Sequence, residues 1–503
     1  MNAASATPDA EAYRLMRTGR LAEALRFAQQ AVAGKTTCSP THGVLAMILL
    51  RLGRAAEADA VIESAVRYAP GGGDAYNSLA HVSVALGRHE RANALYRRAV
   101  ELGPSVSRHW FNLASSERSL GRLAEAEAAC DRAIALDSRE YRGYLLRSEL
   151  RAQTAAANHV EQLRRELSRS DLETPARVLL GYALGKELDD LGQYEEAFKC
   201  FALAAAARRR QLAYDVAVDE RRLRRMIEAY PPAPGRAASG RVDSSRFIFI
   251  VGLPRSGTTL VDRILTGLPG VRSNGETDNF EHALVAASPA QHAKAGGDAV
   301  DDVARAAAAD WDAVAAGYAQ LAAAGGAQRV IIEKLPLNYL HLGAIHRALP
   351  QARLVLVSRA PLDCCFAMYR TLFGDAYPFT YQFEDLARYY AAYSRLMAHW
   401  RDAFGGSIHE VHYEELVGDP GRIGEALAGA CGVEWRDSAV EVERNATVCL
   451  TQSAAQVRRP IYRSSAGSWR HYRAQLGPLV AALRDQGVSL TEVDDADMHS
   501  TNP

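Results

Sequence analysis

The residues best placed to do chemistry cluster in one phrase, GLPRSGTT, at positions 252–259. Its two glycines and Thr259 fall at the spacing G-x-x-x-x-G-K-[ST], in which loop amides and a helix N-terminus converge on phosphate. The lysine place is taken by Thr258, and the cation of the loop is Arg255 instead. A triphosphate–magnesium site wants that lysine on the β- and γ-phosphates. A loop with an internal arginine suits a single terminal phosphate-like group, with no metal. Two more residues stand out further along: Lys334 closing RVIIEK and Arg359 closing ARLVLVSR. His341, His412 and His471 fall in the same stretch as candidate bases, although packing or surface roles suit each of them better.

These groups need elements to hold them. RFIFIVG at 246–252 reads as a buried strand running straight into the loop, and LVDRILTGL after it reads as a helix. The runs ending in Lys334 and Arg359 read as further strands, with Pro361 at a first helical position. SIHEVHYEELVGDP at 407–420 reads as a strand leading into a turn. The alanine-rich stretch 281–328 is predicted to insert helices.

The N-terminal half is organised differently. Gly19, Gly53, Gly87 and Gly121 recur every 34 residues, with alanines at Ala24, Ala58, Ala92 and Ala126 and again at Ala31, Ala65, Ala99 and Ala133. Pro70 and Pro104 close two units, and Gly192 with Ala197 marks a later copy, so a degenerate repeat is predicted over 139–175. Glycine ends one helix, alanines let the next approach, and proline stops continuation. This resembles the tetratricopeptide repeat, whose units stack because none can bury its apolar face alone. Five or six units are predicted to share one continuous core. The resemblance implies a concave face that binds a peptide or protein segment. A purely structural or dimerising stack, and with it a homo-oligomer, stays open. The Pro-, Gly-, Ser- and Ala-rich stretch AYPPAPGRAASGRVDSS at 229–245 is read as a linker. The predicted division is therefore 1–228 repeats, 229–245 linker, 246–486 second domain and 487–503 tail.

The phrase P-R-S-G-T-T after a strand resembles the 5′-phosphosulfate loop of sulfotransferases that use 3′-phosphoadenosine 5′-phosphosulfate (PAPS). The resemblance implies that Arg255, Ser256, Gly257, Thr258 and Thr259 cradle the 5′-phosphate and that Arg359 binds the 3′-phosphate. The serine expected eight residues after Arg359 is Ala367, with Tyr369, Arg370 and Ser358 as stand-ins. Ser453, Gln456, Val457, Arg459, Pro460 and Trp469 resemble the C-terminal segment of the protein-tyrosine branch, where a glutamate in a G-E-T context acts as base. That implies Glu276 as general base, with Lys334, Arg255 and Ser453 stabilising charge in the transition state. A glutamate of ordinary pKa, about 4.3, is a weak base for a hydroxyl, so burial is expected to raise it.

The fold class implied is α plus α/β: an all-α tetratricopeptide superhelix, then a P-loop-like sulfotransferase domain with a parallel sheet. The activity implied is sulfuryl transfer from PAPS to a hydroxyl acceptor, such as peptide tyrosine or another bulky group presented by the repeats. The rival readings are an interaction scaffold with a degenerate transferase domain and an atypical nucleotide phosphotransferase. Of 503 residues, Lys+Arg and Asp+Glu number 59 each, which argues against nucleic acid or an anionic membrane as the partner. No apolar run reaches the roughly 18 residues of a membrane span, and residues 1–11 carry no secretory signal. The seven cysteines are odd in number and scattered, so they read as reduced thiols in a cytoplasmic protein.

Overall fold

The computed structural model describes residues 7–33, 35, 37–68, 71–232, 237–289, 299–323 and 329–490. Pro70, part of the linker and most of the tail lie outside them. The chain forms two compact units, Met1–Ala152 and Gln153–Pro503.

In the first unit, helices pair in sequence: Pro8–Arg17 with Leu21–Val32, Pro40–Arg51 with Ala55–Arg67, Gly73–Ala85 with His89–Leu102, and Ser107–Leu120 with Leu123–Leu136. The four period glycines sit in the turns of these pairs with φ between +71° and +82°, where a side chain would be strained. Ala24, Ala58, Ala92 and Ala126 are fully buried where the paired helices meet, as their small size requires. An ion pair between Arg122 and Glu90, at 3.0 Å, joins successive hairpins.

The second unit opens with Val160–Leu167, Thr174–Asp190, Tyr194–Arg210 and Val216–Ala229. A five-stranded parallel sheet follows, ordered β2-β3-β1-β4-β5: β1 Phe247–Gly252, β2 Val271–Ser273, β3 Val330–Lys334, β4 Arg353–Ser358 and β5 Ile408–His412. Strands β1 and β3 are buried on both faces, which is why they read as unbroken apolar runs. One face, carrying Ile248, Ile250, Ile332, Val355 and Val411, packs on the helix Thr258–Thr266. On the other, Phe247 and Phe249 meet Tyr318 of Trp311–Ala323, with ring centroids 5.0 and 5.3 Å apart. Helices do fill the stretch between β2 and β3, as Asn279–Ala287, Ala299–Ala307 and Trp311–Ala323.

Two findings differ from the sequence reading. The compact division falls at 152, within the helical half and not at the linker. The repeat-like pair Thr174–Asp190 and Tyr194–Arg210 is tied to the α/β part instead. Tyr182 donates to the carbonyl of Tyr369 at 3.2 Å, Asp189 pairs with Arg370 at 3.0 Å, and Arg209 pairs with Asp385 at 2.7 Å. The Phe198 ring lies beside those of Tyr369, Phe383 and Tyr472. The second difference is β2, three half-buried residues too short to show a pattern in sequence.

Candidate active site

Loop 252–257 is forced into its shape by its neighbours. Gly252 has φ +154°, and a Cβ there would come within 2.5 Å of the Val357 carbonyl oxygen. Gly257 has φ +109°, and its Cβ would meet the Tyr413 ring at 2.5 Å. Arg255 is the single non-glycine with positive φ among the described residues, at +67°. That conformation is costly and must be held from outside. Its Nη1 donates to Ser453 Oγ at 2.6 Å and its Nη2 to Gln456 Oε1 at 2.7 Å, while its carbonyl accepts from Arg359 Nη1 at 3.1 Å.

The helix Thr258–Thr266 begins directly at the loop. The amides of Gly257, Thr258 and Thr259 open this helix, where first-turn donors commonly lack an intrahelical acceptor. Ser256 is 1% exposed, and its Oγ is buried without a hydrogen-bond partner. Orphaned buried donors around a helix N-terminus fit an anion. The five loop residues of the expected 5′ cradle thus stand together. Thr259 also reaches the C-terminal segment through Thr451 Oγ1 at 3.3 Å.

The second cluster lies at the end of β3. Backbone bonds continue the β2–β3 pairing past the strands: Asn274 N to Ile332 O at 2.8 Å, and Lys334 N to Gly275 O at 3.1 Å. They set Glu276 beside Lys334, whose Nζ donates to Glu276 Oε1 at 2.5 Å. Lys334 is the buried member, with its side chain 1% exposed, whereas a third of the Glu276 side chain stays in solvent. The burial expected of Glu276 falls on its partner, because the loop ends at the sheet edge and the strand does not. Lys334 follows Val330 and Ile332 onto the face of the helix Thr258–Thr266. Asp262 of that helix lies within reach of its charge, and burial raises the Asp262 carboxyl above the usual carboxylate range.

Arg359 is brought to the loop, where its Nη1 and Nη2 are taken and its Nε is buried without a partner. Besides the Arg255 carbonyl it binds the Ser465 carbonyl at 2.5 Å, lies 4.7 Å over the Tyr413 ring, and sits 3.6 Å from Asp363. Ala367 is buried, and the suggested stand-ins are occupied elsewhere. Ser358 meets His412 Nδ1 at 2.9 Å, Arg370 holds Asp189 and Ser468, and Tyr369 packs on Phe383. The candidate histidines do not join Glu276 and Lys334. His412 is on Ser358, and His471 stacks on Tyr194 at 4.4 Å. His341 is driven down to about 4 by burial and by the charge of Arg222, so it stays neutral.

Residues 247–437 match the sulfotransferase family model. Residues 44–105, 78–141 and 182–210 match tetratricopeptide-repeat models. The second unit contains a sulfotransferase-family domain. An uncharacterized protein of Aquifex aeolicus (strain VF5) is 26% identical over 354 residues, and the match spans 67% of this chain but only 45% of that relative. Similar solved structures include the sulfotransferase domain of the Synechococcus PCC 7002 olefin synthase (19% identical, 52% of this chain and 99% of that one, TM-score 0.35). A sulfotransferase from Alicyclobacillus acidocaldarius (19%, 50% and 97%, TM-score 0.27) is another.

Ser453, Gln456 and Ser465, which touch the arginines of the sulfotransferase domain, lie beyond the residues that the family model matches. Sequence reasoning did not single out Asp262, Glu333 or Asp363 as site residues. Asp262 and Glu333 flank the two catalytic candidates in sequence or space, and an acidic residue inside an apolar strand, as in VIIEK, was the available signal. Burial holds the Glu333 carboxyl up at about 7. Among the described residues no cluster of His, Cys, Asp and Glu could hold a metal ion, and no helix is long and apolar enough to cross a membrane.

Proposed function

We propose that the sulfotransferase domain transfers the sulfuryl group of PAPS to a hydroxyl acceptor, with peptide tyrosine or a similarly bulky phenol as the acceptor class. One observation carries the reading: the Glu276 carboxylate and Lys334 ammonium are paired at 2.5 Å, on the same face of the sheet as the helix that starts at the phosphate loop.

The loop amides of residues 257–259, Ser256 Oγ and Arg255 supply donors for the 5′-phosphate. The 3′-phosphate falls to Arg359, which exchanges its bonds to the Ser465 and Arg255 carbonyls for it. When the donor is bound it supplies the sulfuryl group itself. This chain's residues supply the rest. Glu276 Oε1 releases Lys334 and accepts the proton of the acceptor hydroxyl. Lys334 and Arg255 then face the charge that grows on the transferred and leaving oxygens, and Ser453 holds Arg255 in place. The fully buried Lys334 stem fixes where its charge acts. The first unit's repeats present the acceptor chain on their concave face.

The test is transfer of labelled sulfate from PAPS into tyrosine-containing peptides and small phenols. Glu276→Ala and Lys334→Ala are expected to lose about a hundredfold or more in kcat, the scale of one group directed at the transition state. Variants as active as the parent would remove both residues from the chemistry. No transfer by the parent, together with no binding of adenosine 3′,5′-bisphosphate, would favour the scaffold reading.

A further inference from the structure

Strand β3 ends in two ionisable residues, and the pleat sends them to opposite faces. Lys334 goes toward the helix Thr258–Thr266. Glu333, in register with Phe249 of β1, goes to the face where Tyr318 and Phe280 lie. It is 0% exposed, in a setting of aromatic rings where a carboxyl finds few donors. Those it has come from two chain segments. The Phe280 amide donates to Glu333 Oε1 at 3.3 Å, and Asn338 Nδ2 donates to the same oxygen at 3.3 Å. Phe280 lies four residues after Glu276, and Asn338 lies four after Lys334 in the turn Pro336–His341. The second oxygen, Oε2, is buried without a hydrogen-bond partner, as are the hydroxyls of Tyr318 and Thr277 that lie near the carboxyl, and Thr277 is the residue next to Glu276. The charged groups nearby are Lys334, one residue on, and Arg272 of β2, which lies toward Tyr318.

We infer that Glu333 is a positioning residue for the reaction: its carboxyl fastens the segment after Glu276 to the turn after Lys334, and so sets the separation of the two. Each catalytic candidate is already fixed on one side, by the backbone bonds between β2 and β3. The buried Phe280 ring holds the far end of this segment against Phe249 and Tyr318, but residues 276–279 pivot at Gly275, which has φ +71° and open space around its Cβ position, and the ring contacts set no distance to Lys334. A buried carboxyl that accepts from both segments supplies that anchor with a single side chain. The inference rests on the roles proposed for Glu276 and Lys334, but one arm of its test does not.

The experiment compares the full chain with Glu333→Ala and Glu333→Gln. Gln retains an acceptor oxygen at the same place, and Ala has none. Hydrogen exchange of peptides covering 276–282 and 335–341 is the first arm. Ala is expected to exchange about tenfold or more faster in both, and Gln close to the parent, the scale of one lost buried hydrogen bond. Sulfate transfer from PAPS to a tyrosine peptide is the second arm. There Ala is expected to lose about ten- to hundredfold in kcat, with donor KM and bisphosphate affinity within about twofold of the parent, and Gln is expected to restore most of it. Unchanged exchange in Ala would overturn the inference. So would a Gln variant as defective as Ala, since carboxyl volume and not its acceptor would then matter. If the parent transfers no sulfate, the proposed activity fails, and the exchange arm alone still decides whether Glu333 ties the two segments.

Discussion

At the scale of single residues, the site divides its charges between buried and exposed positions. Lys334 is encased and Glu276 reaches solvent, so one can act as a fixed charge while the other can meet an incoming acceptor. Lys334→Met, close in volume but neutral, is therefore expected to lower kcat by about a hundredfold while leaving the melting temperature nearly unchanged. A large fall in thermal stability would make Lys334 a structural cation instead. Glu333 sets a pH dependence of its own. Burial lifts its carboxyl from 4.5 to about 7, so the folded state prefers it protonated. Its stabilising contribution is complete below the unfolded pKa and is lost as pH rises through about 7. Relative to the parent, Glu333→Gln is expected to gain stability from about pH 5 to about pH 8, by on the order of 3 kcal/mol. Denaturant unfolding at several pH values measures this, and a difference that stays flat with pH would contradict it. His341 acts in the opposite sense. With its pKa pushed down to about 4, it contributes stability above its unfolded value of 6.5 that is lost as pH falls toward 4.

At the scale of elements, the phosphate loop is shaped by contact with β4 and with the helix Tyr413–Gly418 as much as by its own sequence. Gly257 is where this shows. A methyl group there would meet the Tyr413 ring, whose hydroxyl bonds Ser465 and whose face receives Arg359. Gly257→Ala is expected to cost about 1–3 kcal/mol in stability and to abolish bisphosphate binding in calorimetry. Gly421→Ala, in the helix Pro420–Cys431 with nothing near its Cβ position, serves as the control and is expected to leave both intact. If Gly257→Ala bound the bisphosphate like the parent, the loop would not be the anion site.

At the scale of the whole molecule, the chain changes its structural character at one place and its compactness at another. Composition marks 229–245, whereas the compact units divide at 152. The helices between, Thr174–Asp190 and Tyr194–Arg210, use glycine and alanine at repeat positions, yet their side chains are bonded to the sulfotransferase domain. Asp189 alone receives both Arg370 and the Tyr472 hydroxyl. A chain starting at residue 153 is thus expected to melt cooperatively and bind the bisphosphate. One starting at 229 would expose Tyr369, Phe383 and Tyr472 and strand Arg370, and is expected to aggregate or melt at least 10 °C or so lower, as loss of several kcal/mol would require. Equal behaviour of the two would place the functional boundary at the linker after all.

The sequence by itself determined the period of the helical hairpins, the strand–loop–helix around 252–259 and the parallel α/β class. The first two follow from spacing along the chain, a 34-residue interval and an apolar run leading into a glycine loop and a helix, and the third from the resemblance those motifs carry. It also brought Lys334 and Arg359 into view because each closes a strand, and Arg255 because it is the cation of the loop, whereas Glu276 and Ser453 came from the resemblance alone. Only the tertiary structure decided which of them meet. Glu276 and Lys334 are 58 residues apart and Arg255 and Ser453 are 198 apart, distances that no local pattern encodes. It also decided that Arg359 spends both Nη groups on carbonyls, that Lys334 and not Glu276 is buried, and that Glu333 looks to the other side of the sheet. Burial and hydrogen-bond partnership are properties of a packed interior, and they exist only once remote segments share the same few ångströms.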